Sequence, residues 1–455
     1  MHEASRKPSR VWLRLADVVF LLALGVYTIA GVSIAPFHGD EPMQIYMSHD
    51  YVTAFVERQP ERLTTRPPYD IDSDAHLRLI NGSVNRYTIG LAWHLAGLTS
   101  GDLPPRPGWD WGLDYDFNVA TGHRPSEALM LASRLPSALF TALSAVALFA
   151  LAWQFGERPL AYVVTLIYAL NPVILLNGRR ALQEGSVLCF GILAILIAAW
   201  ISKRRTDGKP DPLAAWLALI AACALTLASK HSGVVFVAAA LGWIFAAELV
   251  RWRLNAIAVT TLKLIAGGLL IIVLFVALSP ALWNDPIARF GDLLAERSRL
   301  LDIQVAVDPL APMTIAQRLE AIVAQPFSAP LMHFEVGFWA QAQPIAAEID
   351  AYMRSPLSGL HPGGVIGWGL TLLAAIGIIA AVLQARKPLY AGLLVWMVVT
   401  VASLLVNPLP WQRYYLPLIP LAALLAGIGL YAGARLFALR YGQRTSADNP
   451  APVEV

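Results

Sequence analysis

Residues 16–41 read "ADVVFLLALGVYTIAGVSIAPFHGDE", an apolar run followed closely by two acidic side chains. The run over 16–37 is long enough to cross a bilayer as a helix, because a span needs about 20 mostly apolar residues. Asp40 and Glu41 follow it after only His38 and Gly39. The sequence therefore predicts a membrane helix with a double negative charge where the chain leaves the bilayer.

The composition places the whole chain in the membrane class. Of its 455 residues, 57% are hydrophobic and only 14% are charged, whereas soluble domains usually carry about 25% charged residues. The formal charge of +3 is too small to indicate a nucleic-acid-binding surface. Cys189 and Cys223 both lie in apolar runs, so we expect buried hydrophobic side chains rather than a disulfide or a metal site.

Apolar runs of spanning length recur along the chain and predict an all-α, polytopic membrane protein with about ten transmembrane helices. The runs cover 16–37, 135–155, 158–177, 183–201, 212–229, 232–250, 257–280, 363–384, 388–407 and 413–437. Lys230 and His231 divide the region 212–250, which predicts either a helical hairpin or one long kinked helix. Residues 33–35, "SIA", resemble a signal-peptide cleavage site, so the first run is either a membrane helix, which its length favours, or a signal peptide.

Basic residues mark one end of these spans and thereby predict the topology. Lys and Arg are enriched at cytoplasmic ends, and here they occur near both termini and in "SKRRTDGKPD", "RWR" and "QARKP". With about ten spans, both termini are predicted to be cytoplasmic, and two long loops, about 38–134 and 281–362, to be extracytoplasmic with interfacial helices. We expect one multi-span domain over 1–437 and a disordered cytoplasmic tail over 438–455.

The short outer connections carry cations where the charge rule predicts few. Arg179 and Arg180 lie in "NGRRALQEG", Lys230 in "ASKHSG" and Arg413 in "PWQRYYLP". These side chains either snorkel to lipid headgroups or converge on a phosphate carried by a lipid. Glu184 begins the fourth run, where it either pairs with Arg180 four residues earlier or takes part in a site.

Paired carboxylates beside clustered cations suit one kind of chemistry. If a sugar arrives on a lipid phosphate, cations stabilise the departing phosphate. A carboxylate, Asp40 or Glu41, then takes the proton of the acceptor hydroxyl as it attacks the sugar. The second carboxylate would orient the base or acceptor or bind a metal; a divalent ion held by Asp40, Glu41 and Glu184 is one hypothesis, and no cofactor is certain.

Several segments together resemble a known family. They are "DE" after the first span, "SRLPSALFTALSAVALFALAWQFG" (133–156), "ALNPVILLNGRRALQEG" (169–185), "SKHSG" (229–233) and "RYYLPLIP" (413–420). In this order they resemble the GT-C type integral-membrane glycosyltransferases that use polyprenyl-phosphate sugars. Within that group, the protein-O-mannosyltransferase and aminoarabinose-transferase-like families are the most similar.

The resemblance implies roles for particular residues. It implies a catalytic base at Asp40 and lipid-phosphate contacts at some of Arg180, Lys230 and Arg413. Independently of the resemblance, the aromatic side chain of Tyr414 places the segment beside Arg413 at headgroup level. Glu184 stands where the family usually has Asp. A further basic residue of the family corresponds to either Arg66 or Arg86, and the sequence does not decide between them.

These observations together predict a glycosyltransferase at the extracytoplasmic face of the plasma membrane. It would transfer a hexose or pentose from a polyprenyl-phosphate donor to a lipid, glycan or protein acceptor by direct displacement. The alternative is a transporter or flippase for lipid-linked sugars. A transporter is expected to place its charges near the bilayer midplane in repeated halves, and here the ionisable residues cluster at one face.

Overall fold

Helices build the part of the chain that the structure describes. The structure is a computed structural model that describes residues 10–447 except 72, 107, 336 and 362. Within these residues it is 75% helical and contains no strand. The α-helices are α1 (Arg10–Ala30), α2 (Asp40–Met47), α3 (Asp74–Ile80), α4 (Ser83–Leu95), α5 (Tyr115–Ala120), α6 (Glu127–Phe155), α7 (Arg158–Ala169), α8 (Pro172–Arg179), α9 (Glu184–Thr206), α10 (Leu213–Ser229), α11 (Val234–Arg251), α12 (Leu254–Leu278), α13 (Pro286–Val307), α14 (Ile315–Ala324), α15 (Gln343–Arg354), α16 (Gly363–Leu383), α17 (Pro388–Val406) and α18 (Leu418–Ala447).

Eight helices in the described ranges are long and apolar enough to span a membrane: α1, α6, α9, α11, α12, α16, α17 and α18. The bent pair α7 and α8 makes a ninth if it is counted as one span. The predicted all-α polytopic class is confirmed. The described residues thus contain eight or nine such spans where the sequence predicts about ten. The difference arises at α10, which has 17 residues and is shorter than the spanning helices. The 212–250 region forms two helices, α10 and α11, joined by a 3₁₀ turn at His231–Gly233.

The predicted third span, 158–177, is broken in its middle. α7 ends at Ala169 and α8 begins at Pro172, and the two axes differ by 60°. Asn171 caps α8, because its side-chain oxygen accepts from the backbone N–H groups of Val173 and Ile174 at 3.0 and 3.3 Å. Pro172 then starts the helix without needing an N–H partner. An Asn-Pro pair inside an apolar run is thus the local cause of the bend.

The first span ends earlier than predicted, at Ala30 and not at 37. Arg179 is fully buried against this end of α1. Its guanidinium donates to the carbonyls of Tyr27 and Thr28, each at 2.8 Å. A Cβ on Gly31 would lie 2.1 Å from the guanidinium carbon of Arg179, so only glycine fits here. Arg179 therefore caps α1 and is a structural residue, although the sequence suggested it as one of the outer cations.

Contacts between helices place the two long loops at the same end of the helix bundle. α9 lies against α6, α10 and α11, and α18 packs on α16 and α7. α4 of the first long loop lies on α6, and α13 of the second long loop lies on α3. The two loops therefore meet above the end of the bundle at which α1 ends and α9 begins. α18 extends to Ala447, and residues 448–455 of the predicted tail lie outside the described residues.

Candidate active site

Glu41 is locked into the protein interior. Its side chain is 0% exposed and accepts from Arg134 Nε and Nη2, each at 2.7 Å. The backbone N–H groups of Ala181 and His38 add two more hydrogen bonds, at 2.9 and 3.0 Å. Burial acts to raise the pKa of Glu41, but Arg134 outweighs it, so the pKa lies below its ordinary value. With its oxygens engaged, Glu41 ties α2 to α6 and to the segment before α9.

Asp40, the next residue along the chain, lies in a different environment. It begins α2, its side chain is 19% exposed, and it forms an ion pair with Arg413. Its backbone N–H donates to His38 Nδ1 at 3.1 Å, so a neutral His38 carries its proton on Nε2. Of the two carboxylates that the sequence suggested as the base, Asp40 is the accessible one. The structure thus separates the pair into a buried anchor and an open carboxylate.

Arg413 stands between two carboxylates. Besides its pair with Asp40, its Nε lies 2.9 Å from Glu335 Oε1, and the other oxygen of Glu335 lies 2.9 Å from His38 Nε2. Burial acts to raise the pKa of Glu335, but the charge of Arg413, with the hydrogen bond to His38, holds it well below its usual range. Burial acts to lower the pKa of Arg413, and Glu335 and Asp40 instead raise it well above the ordinary value. The site therefore favours the ionised form of Glu335 beside the Arg413 guanidinium, with Asp40 paired to the same group.

Glu184 and Lys230 form a second ion pair, with Lys230 Nζ donating to Glu184 Oε1 at 2.6 Å. Lys230 also lies 5.6 Å from the centre of the Tyr414 ring. The pairing of Glu184 with Arg180, considered from their spacing, does not occur, because Arg180 is directed elsewhere. Its guanidinium donates to the carbonyls of Pro36 and His333 at 3.1 and 3.0 Å.

A cavity of about 430 Å³ lies beside Arg413 and the pair of Glu184 and Lys230. One part of its wall is polar and contains Glu184, Lys230, Arg297, Gln304, Arg413 and Tyr414. The rest is mainly apolar and contains Val187, Leu188, Val235, Leu301, Leu404, Leu416 and Pro417. The cavity thus offers a charged region continuous with an apolar one.

Arg297 of α13 is the cation of this cavity that lacks a carboxylate partner among the residues described. Burial, with a further contribution from the charge of Arg413, holds the pKa of Arg297 below its ordinary value, although Tyr414 acts in the opposite direction. Lys230 and Arg413 line the same wall. An uncompensated cation in a concave site favours binding of an anion.

The structure brings together five of the residues suggested by the sequence. Asp40 pairs with Arg413, and Glu184, Lys230, Arg413 and Tyr414 line the cavity. The other candidates are elsewhere. Arg180 is buried and donates to the Pro36 carbonyl, away from the cavity. Arg66 is exposed and donates to Asn284 at 3.1 Å, and Arg86 is buried 3.3 Å from Asp50, so neither lines the cavity.

Five further residues of the site were not predicted from the sequence: His38, Arg134, Arg297, Gln304 and Glu335. Gln304 accepts from the Tyr414 hydroxyl at 3.2 Å and so joins α13 to the segment before α18. "FHGDE" could have drawn attention to His38, since it stands two residues before Asp40. Glu335 has no such signal, because it is 295 positions away from Asp40 and reaches the site only in the folded chain.

The carboxylates suggested for a divalent ion do not form a metal site in this geometry. Each faces a cation: Asp40 faces Arg413, Glu41 faces Arg134 and Glu184 faces Lys230. Across the described ranges, no group of three or more His, Cys, Asp or Glu side chains is arranged to hold a metal ion. The three residues therefore do not fit a shared ion.

The aromatic loop of 108–118 packs directly beside the site. Trp109 is buried against Phe37, with ring centroids 4.9 Å apart, while Trp111 is 39% exposed and lies edge-on to Trp339 at 4.9 Å. A Cβ on Gly39 would lie 2.6 Å from the Trp111 ring. The absence of a side chain at Gly39 thus lets this ring lie next to the start of α2.

Comparison with known proteins gives one family match and a set of structural matches. The model of the dolichyl-phosphate-mannose-protein mannosyltransferase family matches residues 108–284. The archaeal oligosaccharyltransferase AglB from Archaeoglobus fulgidus, in complex with an inhibitory peptide and a dolichol-phosphate, matches 97% of this chain with a TM-score of 0.53 and 12% identity. ArnT from Cupriavidus metallidurans, bound to undecaprenyl phosphate, matches 93% with a TM-score of 0.51 and 14% identity. No curated protein sequence matches the chain.

This is the GT-C fold. The resemblance predicted from the sequence, to GT-C type membrane glycosyltransferases, is confirmed at the level of the fold and by the family match. The match covers 53% of the AglB chain and 60% of the ArnT chain, so this protein spans about half to three fifths of their length. The apolar helices and the GT-C fold together make it a multi-pass membrane protein.

Proposed function

We propose that this protein transfers a sugar from a polyprenyl-phosphate donor to an acceptor hydroxyl. One observation carries the proposal: Arg413 connects the open carboxylate of Asp40 to a cavity whose wall is part cationic and part apolar. Such a cavity suits a lipid phosphate, and a carboxylate at its edge suits proton removal from an acceptor. Dolichol-phosphate in the AglB structure and undecaprenyl phosphate in the ArnT structure support the same donor class.

In the proposed donor complex, the phosphate lies between Lys230, Arg297 and Arg413. The first isoprene units extend along the apolar wall of the cavity, and the sugar lies towards Asp40. Arg413 can bind a phosphate oxygen with one edge of its guanidinium while another edge remains with Glu335. Binding of the phosphate by Arg413 would weaken its pair with Asp40 and leave that carboxylate free to accept a proton.

Transfer is then a single displacement. The acceptor oxygen forms a bond to the anomeric carbon, while the bond from that carbon to the phosphate oxygen breaks. The acceptor proton moves to Asp40, and the negative charge of the departing lipid phosphate is stabilised by the three cations. Glu41 takes no proton in this scheme. Through Arg134, it fixes the height at which α2 presents Asp40.

The position of the ionisable groups favours an enzyme over a transporter. Glu184 is the first residue of α9, Lys230 follows the last residue of α10, and Arg413 precedes α18. They therefore lie at helix ends, whereas transporters usually bind their substrates near the bilayer midplane. We infer that this end faces the outside of the plasma membrane. The acceptor is a lipid, a glycan or a protein.

The donor site can be tested without knowing the sugar. Purified protein in nanodiscs is incubated with undecaprenyl phosphate or with uncharged undecaprenol, and bound lipid is measured by native mass spectrometry. We expect binding that requires the phosphate and falls at least about tenfold in Arg297→Ala, because charge-assisted contacts are strong. Arg299→Ala is the matched control, since Arg299 lies on the same helix, is 50% exposed and does not line the cavity. Equal binding of undecaprenol and undecaprenyl phosphate would contradict the proposed binding of the phosphate by Lys230, Arg297 and Arg413.

A further inference from the structure

A second concave surface lies at the opposite end of the helix that begins in the cavity. α9 runs from Glu184 to Thr206 and is 23 residues long, so at 1.5 Å per residue its length is about 34 Å. This distance matches the thickness of a bilayer core, about 30 Å. The surface, here called the basic groove, has a volume of about 730 Å³ and lies between the end of α6, the end of α9 and the start of α10. It is therefore separate from the candidate active site.

The inner wall of the basic groove is apolar and comes from all three helices. Leu196 and Ile197 of α9 face it together with Ala150 of α6 and Ala215 and Ala218 of α10. The alanines are small, so hydrocarbon of another molecule can approach the helix backbones closely. Trp153 and Trp200, which are 36% and 38% exposed, complete the wall. Tryptophan favours the membrane interface, which places this groove at headgroup depth.

The outer edge of the basic groove carries a fixed excess of positive charge. Lys203, Arg204 and Lys209 line it, and Asp207 is the one acidic residue among the described lining residues. The Arg204 guanidinium lies 4.9 Å from the centre of the Trp200 ring, and its Nε donates to the Pro210 carbonyl at 3.1 Å. Arg204 is therefore held in place rather than freely extended into solvent.

The turn after α9 fixes the position of the third cation. Gly208 has a φ of 72°, a conformation that glycine adopts without strain. The backbone N–H of Lys209 then donates to the carbonyl of Arg204 at 2.9 Å. Lys203 and Lys209 are exposed, and within the described part of the chain neither has a carboxylate at ion-pair distance. Two positive charges thus stand uncompensated at the edge of an apolar wall.

One buried acceptor in the basic groove lacks a donor. The side-chain oxygen of Gln154 is buried and has no hydrogen-bond partner among the described residues, and a rotation of this partly exposed side chain would turn the oxygen into the groove that it lines. Such a group is costly to leave unpaired, so a donor from a bound molecule would stabilise it. Phosphate oxygens cannot serve, because they are acceptors. A hydroxyl group close to the phosphate can.

We propose that the basic groove binds an anionic glycerophospholipid whose headgroup carries hydroxyl groups. Its phosphate would contact Lys203, Arg204 and Lys209, and its acyl chains would lie along the apolar wall. A headgroup hydroxyl would donate to the Gln154 oxygen. Binding here holds α6, α9 and α10 together at one membrane face, and it requires neither the donor nor the active site.

Native mass spectrometry of the full chain tests this inference. The protein is exchanged into equal mixtures of phosphatidylglycerol and phosphatidylcholine, and retained lipid is counted. We expect preferential retention of phosphatidylglycerol that falls by about fivefold for each cation removed, in Lys203→Gln and in Lys203→Gln/Lys209→Gln. Arg386→Gln/Lys387→Gln is the matched control, because these exposed basic residues lie between α16 and α17 and not in the groove. Equal retention of the two lipids, or equal losses in the control, would overturn the proposal.

Gln154→Leu tests the hydroxyl contact. Phosphatidylethanol has the same single charge as phosphatidylglycerol but no headgroup hydroxyl. We expect the wild type to prefer phosphatidylglycerol and Gln154→Leu to bind both equally, with an unchanged melting temperature in lipid-free detergent. Displacement of phosphatidylglycerol from this groove by undecaprenyl phosphate at equal concentration would instead identify a polyprenyl lipid as the occupant and overturn the assignment.

Discussion

Replacing Arg413 by alanine is the sharpest test of how the site is held together, because one guanidinium faces two carboxylates. The side chains of Arg413, Asp40 and Glu335 are only 14%, 19% and 13% exposed. Removing one member of a buried pair typically costs about 3–5 kcal/mol, because it leaves an unmatched charge. Glu335 keeps its contact with His38 at 2.9 Å. We therefore expect the lower end of this range, a free energy of unfolding reduced by about 3 kcal/mol.

Lysine at position 413 separates charge from shape. It keeps one positive charge but has no planar fork, so it cannot contact Asp40 and Glu335 as Arg413 does. We expect a smaller loss of stability in Arg413→Lys than in Arg413→Ala. The apparent affinity for a polyprenyl-phosphate sugar should weaken in the same order. If Arg413 only snorkelled to lipid headgroups, lysine would perform as well as arginine.

The pH dependence of stability gives an independent check. Arg413 contributes to holding the pKa of Glu335 below its ordinary value. A carboxyl group with a lowered pKa stabilises the folded state above its unfolded pKa, and this contribution is lost as the pH falls through the folded pKa. Without Arg413 the pKa of Glu335 rises. We therefore expect Arg413→Ala to lose stability at a higher pH than the wild type during acid titration.

The assay is denaturant-induced unfolding in lipid nanodiscs, followed by a double-mutant cycle with Glu335→Gln. Because Gln removes the charge that Arg413 balances, the double variant should recover at least about 1 kcal/mol relative to additivity. Arg299→Ala, an exposed residue outside the cavity, serves as the control and should change stability by less than about 0.5 kcal/mol. An Arg413→Ala variant that unfolds like the wild type, with no coupling to Glu335→Gln, refutes this reasoning.

Three further predictions concern chemistry, pairing and topology. Asp40→Asn should lower turnover by about 10²–10⁴-fold in transfer assays while lipid retention shows intact donor binding, and it should cost less stability than Arg413→Ala because Glu335 still faces Arg413; near-normal turnover would move the base elsewhere. Glu184→Gln and Lys230→Gln should each destabilise the fold, and the double variant should regain stability but not donor affinity; regained transfer would make the pair purely structural. A cysteine replacing Ala306 should react with an impermeant thiol reagent in intact cells and one replacing Thr206 should not; the reverse pattern would invert the predicted topology.

Hydrophobic run length predicted most of the fold, because an apolar stretch in a membrane protein has few alternatives to a helix. It located the ends of helices less well. α1 ends at Ala30 because Arg179, far along the chain, takes its last carbonyls. The bend between α7 and α8 was predictable in principle, since Asn171 and Pro172 form a recognisable helix start. The sequence around Asn171 therefore contains a local signal for the bend. The end of α1 at Ala30 instead depends on a tertiary contact.

In the candidate site too, some features were predictable from local sequence and others depended on tertiary contacts. Lys230 and Arg413 stood out because cations in short outer connections violate a charge pattern that the sequence itself displays. The sequence did not show which carboxylate pairs with which cation. Glu184 meets Lys230 across 46 positions, and Glu335 meets His38 across 297. Contacts of that separation leave no periodicity in one sequence, so the pairing of charges depends on the tertiary fold.

The burial of Glu41 changes how loss-of-function experiments on the "DE" pair should be read. A substitution at either residue is expected to abolish activity, yet for different causes. At Asp40 the folded protein would persist without a proton acceptor. A substitution of Glu41 would leave Arg134 as an unmatched buried charge. It would also remove the hydrogen bonds that hold the segment between α1 and α2 against α6. An inactive Glu41 variant that is also poorly expressed or easily proteolysed therefore reports on assembly, and only activity measured per folded molecule distinguishes the two carboxylates.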